Sequence, residues 1–200
     1  MAHDKALDEK ATLHRYLKLR RDDLLRKLDG LDEYDVRRPM TPTGTNLLGL
    51  VKHVASIELG YFGETFGRRA DRVLPWFEPG AEANADMWVP ADESRESIVD
   101  LHHYAAEHSD ATIDALPIDA RGEVPWWPAE RRAVTLYQIL VHMCVERAHH
   151  VGHADILREL IDGGVGRGPD DPNLPFHTPE DWAAYREQIE ASARAAAGRA

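Results

Sequence analysis

At 200 residues the chain has the length of one ordinary domain and can bury a core without disulfides, which its single cysteine, Cys144, excludes along with any cysteine-rich zinc module. The 35 acidic residues against 24 basic give a formal net charge of −11, the wrong field for a protein that tracks phosphates, so nucleic acid is not an expected partner. No apolar run approaches a membrane span, and the start Met1-Ala-His-Asp-Lys runs straight into charge without a signal region; the expectation is a cytoplasmic protein with no membrane partner.

Apolar spacing of three and four residues dominates, with no sustained strand-like alternation. The spacing predicts a first helix from Ala6 to Leu28, carrying Leu13, Leu17, Leu24 and Leu28 on one side and stopped by Gly30. A second runs from Thr45 to Phe66 through Leu47, Leu50, Val54, Ile57 and Tyr61. Breakers at Pro75, Pro79, Gly80 and Pro90 make Arg68 to Asp92 irregular. A third helix spans Glu93 to Leu116, with Ser94 as a cap. A second broken stretch, Pro117 to Arg132, holds Pro125-Trp126-Trp127-Pro128. The fourth helix extends from Val134 to Ile161 and ends at Gly163-Gly164. Thr178-Pro179-Glu180-Asp181 then starts a fifth, Ala- and Glu-rich helix reaching Ala197. The fold class is all-α: a four-helix bundle over residues 1–165, with a linker and extra helix over 166–200 packed on the same domain. Because the longest connections precede helices three and four, up-down-up-down topology does not follow.

The fourth helix carries the chemistry. Its predicted seam is Leu136, Ile139, Met143, Glu146, His150, His153, Leu157 and Leu160, spaced three and four throughout. Its middle members are a carboxylate and two imidazoles, and an unpaired carboxylate in an apolar seam costs on the order of several kcal/mol. Glu146 and His150 lie four apart, about 6 Å along the axis, so both can reach one ion at about 2.0–2.2 Å. His53, between Leu50 and Ile57 on the second helix, is the best third ligand. Two imidazoles and one carboxylate suit zinc, with nickel, manganese or iron as alternatives, and three protein ligands leave a position open. The competing view is a buried hydrogen-bonded cluster, or a helix rotated so that these groups face solvent.

Other ligand sets exist. His149 and His153 are also four apart, and His142, Glu146, His149 and His153 form a neighbouring stripe whose Thr135 and Gln138 mark an outer edge. His153 belongs to both stripes; it is expected to face substrate or support the ligands and to act in catalysis by orienting a bound thiol or water or shuttling a proton, with a fourth-ligand role as the alternative. No His-Glu-x-x-His string occurs, and Glu146-Arg147-Ala148-His149 is the one Glu-x-x-His string on the core helices, so neither a zincin nor a di-iron bundle fits. Cys144 reads as a small packed side chain. His14, His102, His103 and His108 read as surface or flank residues, and Trp76, Trp88, Trp126 and Trp127 as caps on the bundle ends. The functional alternative has Trp126 and Trp127 walling a substrate pocket, with Arg131 and Arg132 attracting an anion.

Thr45-Asn46-Leu47-Leu48-Gly49-Leu50-Val51-Lys52-His53 resembles the second-helix segment of the DinB/YfiT-like metalloenzymes. Leu140-Val141-His142-Met143-Cys144-Val145-Glu146-Arg147-Ala148-His149-His150-Val151-Gly152-His153-Ala154-Asp155-Ile156-Leu157-Arg158-Glu159 resembles their fourth helix. The likeness is closest to the subgroup with Glu-x-x-x-His-x-Gly-His and spans roughly Leu7 to Asp162. It implies a DinB-type bundle with a metal on His53, Glu146 and His150. Many such proteins have His at the position of Glu146 and Gln at that of His153. The carboxylate version resembles the metal-binding domain of mycothiol-dependent maleylpyruvate isomerase, whose additional C-terminal domain this sequence is too short to hold. The resemblance implies a thiol S-transferase using mycothiol, bacillithiol or glutathione, with a small-molecule thiol and an electrophile as partners and a homodimer as the assembly. A metal-dependent hydrolase and a non-catalytic metal-stabilised binding protein are the alternatives.

Overall fold

The computed structural model describes residues 8–168 and 171–199, in two compact units divided after Gly163. In the first unit, α1 (Glu9–Arg26) begins where the Asp8 carboxylate accepts from Ala11 N at 2.7 Å. The predicted start at Ala6 lies outside the described residues. An unforeseen short helix, α2 (Glu33–Arg37), follows and places Val36 in the core. Helix α3 (Leu47–Phe62) is capped by Asn46, whose side chain accepts from Gly49 N at 2.8 Å. Only glycine fits at position 49, since a Cβ there would lie 1.9 Å from Met87 O. The predicted continuation to Phe66 is instead a single 3-10 turn (Glu64–Phe66), closed by left-handed Gly67.

Helix α4 (Arg95–Ala115) starts at the expected Ser94 cap. Sequence reading foresaw no strands, yet β1 (Arg121–Glu123) and β2 (Ala133–Thr135) form a two-stranded antiparallel ladder pairing Arg121 with Thr135 and Glu123 with Ala133. Three-residue strands are too short to show alternation, which is why they were not legible. The ladder feeds directly into α5 (Leu136–Asp162). There Thr135 and Gln138 form a capping box and Gly163, at φ 77°, ends the helix.

Four long helices make an all-α bundle in which α3 packs against α4 and α5, and α1 against α5 and α4. Consecutive long helices α1 and α3 therefore stand diagonally, not side by side. Leu24, Leu47, Val51, Ile98, Val151 and Leu157 belong to one apolar cluster, and Leu17, Phe62, Ile113, Leu136, Ile139 and Met143 to another. Between these levels the four long helices bring together the buried polar side chains Arg21, Glu58, His102 and Arg147. Arg21 Nε donates to Glu58 Oε1 at 2.9 Å, Arg147 Nε to Glu58 Oε2 at 2.5 Å, and Arg147 Nη1 to His102 Nε2 at 3.2 Å. Burial opposes ionisation of Glu58, but the two guanidiniums hold its carboxyl below the usual range.

This polar layer revises the predicted seam. The buried side of α5 runs Leu136, Ile139, Leu140, Met143, Arg147, His150, Val151, Ala154 and Leu157, while His153 and Leu160 are exposed. A strict 3-4-3-4 pattern drifts by about 20° per heptad on a straight helix, so over three heptads it leaves the core by roughly 60°. His14 and His102, expected near the surface, are buried: His14 Nε2 lies 2.7 Å from Asp110 Oδ1. No helix among the described residues is long and apolar enough to cross a membrane.

In the second unit, α6 (Pro179–Ala196) begins at the Thr178 cap, as its acidic, proline-bearing first turn predicts. Phe176 packs its ring against Trp182 and Tyr185, at 5.1 and 5.2 Å between centroids.

Candidate metal centre

Local helix geometry brings the first pair together: across one turn of α5, His150 Nε2 lies 3.2 Å from Glu146 Oε1. From α3, His53 Nε2 reaches the same oxygen at 3.7 Å, with its ring centroid 4.9 Å from that of His150. Ligand-capable atoms of His53, Glu146 and His150 all lie within 4.8 Å of one another. The three are half-buried or buried, at the edge of the polar layer.

A residue that sequence reasoning missed sets the chemistry of His53. Asp86, from the irregular segment before α4, lies with Oδ2 2.6 Å from His53 Nδ1. The hydrogen bond from His53, against partial burial, holds the Asp86 carboxyl below its usual range. An ionised carboxylate only accepts, so Nδ1 carries a proton, and in the neutral ring this leaves the Nε2 lone pair facing Glu146. In that tautomer two acceptors face each other across 3.7 Å, a mismatch that a cation between them removes. His150 adds to it: burial, then the neighbouring His53, pushes its imidazole down to about 4, and its Nδ1 is buried without a hydrogen-bond partner. The donor set of two imidazole nitrogens and one carboxylate oxygen, with a carboxylate behind one histidine, fits a divalent ion.

His53 and Glu146 form part of the wall of a cavity of about 1090 Å³. Trp126 lines it, edge-on to Tyr61 at 5.2 Å between centroids, and Gly60 makes room: a Cβ there would stand 2.9 Å from the Trp126 Cη2 atom. Trp127 sits behind, its Nε1 donating to the Tyr61 hydroxyl at 3.2 Å. His142, one turn before Glu146, also lines the cavity, 4.6 Å from the Tyr61 ring. Burial lowers its pKa, and the Glu146 charge opposes that only in part. Phe77 supplies apolar surface from the irregular segment, and Arg69 and Arg72 supply its cations.

The remaining expected site residues lie elsewhere. Arg131 is exposed in the 3-10 turn Ala129–Arg131, outside the cavity wall, and Arg132 is spent on Trp127 O at 2.6 Å. His153 is exposed, its ring 5.5 Å from that of His150. Cys144 packs with Sγ 3.4 Å from Leu13 O, and burial pushes its thiol up, away from a nucleophile's range. Asp86, Arg69 and Arg72 had no sequence signal, because their segment has no period from which a facing side can be read.

Compared with known proteins, residues 12–163 match the family model described as mycothiol S-transferase. No curated protein matches the chain.

Proposed function

Because the chain belongs to the mycothiol S-transferase family, which is DinB-like, we propose that it is a metal-dependent transferase that joins a small-molecule thiol to an electrophile. The observation that carries this reading is the convergence of His53, Glu146 and His150 on one point at the wall of a cavity large enough for two small substrates. These three residues would hold a divalent ion, zinc being the first to test and nickel, manganese or iron the others. Such an ion, when bound, stabilises a coordinated thiol as its thiolate near neutral pH.

The chain's own residues do the rest. Asp86 keeps the proton of His53 on Nδ1 and so holds Nε2 ready as a ligand. A ring nitrogen of His142, a largely neutral imidazole in the cavity, takes the proton that the thiol gives up. Trp126, Tyr61 and Phe77 hold the apolar part of the electrophile and keep water from competing with sulfur. In the transfer, the sulfur lone pair forms the new S–C bond while the leaving group departs with the electrons of the bond it loses.

The test is conjugation of mycothiol to a fluorogenic electrophile by protein stripped of metal and then reloaded. Activity should vanish on stripping, return with a divalent ion, and fall by about 10²-fold or more in His142→Ala. Turnover that survives stripping would overturn the reading.

A further inference from the structure

The spacing that brings Glu146 and His150 together recurs three residues later on the exposed face of α5, in a pair that the transferase reading does not use. His149 and His153 are four residues apart, both exposed, with ring centroids 4.3 Å apart and planes inclined at 75°. Among the described residues neither ring nitrogen is engaged in a hydrogen bond or ion pair. The face between them is open as well, since a Cβ on Gly152 would meet nothing within 4 Å. The side of the pair next to Gly152 is therefore clear of other side chains.

We propose that His149 and His153 form a second metal site, a surface bis-imidazole chelate for a late first-row divalent ion. Neutral imidazole is a good ligand for zinc, nickel and copper, and a helix presents two of them at four-residue spacing on one face. Because both rings already stand in solvent, binding sacrifices no buried hydrogen bond, and water completes the coordination. The site is separate from the centre inside. Neither His149 nor His153 lines the cavity, and His150, whose ring lies 5.5 Å from each, directs its Nε2 to Glu146 instead.

The site predicts that this protein, given excess metal, takes up an ion beyond any held at the centre. Titration of the full chain with Zn²⁺, followed through the ring ¹H–¹⁵N correlations of its histidines, tests this directly. The His149 and His153 signals should move together on one isotherm. His149→Ala should abolish the response of His153, and His153→Ala that of His149, because a chelate needs both rings. Both positions are exposed, so neither variant threatens the fold. A His153 response that persists in His149→Ala, or no response of either ring in the wild type, would overturn the proposal. Glu146→Gln separates the two sites. It should leave the surface response intact while weakening that of His53 and His150; if only the surface rings respond in the wild type, the inner metal centre fails and the surface site stands.

Discussion

Arg147 and Glu58 meet as a wholly buried ion pair, Nε 2.5 Å from Oε2, between two of the apolar clusters of the bundle. The contact fixes the rotation of α5 against α3. With Arg147 turned to Glu58, its neighbour Glu146 faces the flank on which His53 stands, about 1.4 turns away from Glu58 along α3. The pair thus connects the packing of the core to the geometry of the candidate centre. Removing one partner strands the other in a site without water, and Arg147→Ala should cost about 3–5 kcal/mol of stability. Urea unfolding of the two proteins measures it, and a loss below about 1 kcal/mol would show that the pair is not a keystone of the bundle.

The same layer carries a pH dependence. Burial, then the positive field of Arg147 and Arg21, lowers the His102 pKa well below its ordinary 6.5. Its folded value therefore lies beneath its unfolded one, and the unfolded chain binds the extra proton as the pH falls below 6.5. Stability should be fully present above that pH and decline as acid is added. Asp110, likewise held below its ordinary 3.8 by His14 and Arg21 against its burial, adds a second loss in stronger acid. In His102→Gln, which keeps an acceptor for Arg147, the urea midpoint should change less between neutral pH and the onset of the carboxylate step. An unchanged slope would refute the assignment.

Asp86 governs the ligand quality of His53. Replacing it with Asn removes the charge that fixes the tautomer, and metal affinity measured by competition with a chelator should fall roughly 10–100-fold. Because the residue is only half-buried, the fold should survive, as circular dichroism would report. Equal affinity in Asp86→Asn would mean that the 2.6 Å hydrogen bond does not orient the ligand.

Gly60 tests the cavity wall. A methyl group there must displace the Trp126 ring from 2.9 Å, so Gly60→Ala should raise KM for a bulky electrophile several-fold while changing kcat less. An equal fall in kcat with KM unchanged would instead place Trp126 against the reacting atoms.

What could be read from the chain alone was what depends on neighbours in sequence. The caps at Ser94 and Thr178 and the stop at Gly163 are short-range hydrogen-bonding facts, and they stand where the residues indicated. The approach of Glu146 to His150 is likewise a property of one helical turn. His53 was legible because it interrupts an apolar stripe on α3. Arg147 was not, since a charged residue on a helix ordinarily marks the solvent side, and its partners Glu58 and His102 come from two other helices. His153 was misplaced for a related reason: a perfect 3-4 spacing outlasts the core face of a straight helix. Asp86, Arg69 and Arg72 arrive through an irregular segment whose path is decided by tertiary contacts such as Met87 against Gly49.

The most direct measurement is the metal content of untagged protein after dialysis against metal-free buffer. It should be made on His149→Ala/His153→Ala, so that only the inner centre is counted, with and without Glu146→Gln. The account predicts about one divalent ion per chain with Glu146 in place and little without it, both proteins showing the same helical circular dichroism. Equal metal in the two, or none in either after incubation with zinc, nickel and manganese, would contradict it and leave His53, Glu146 and His150 as a hydrogen-bonded cluster.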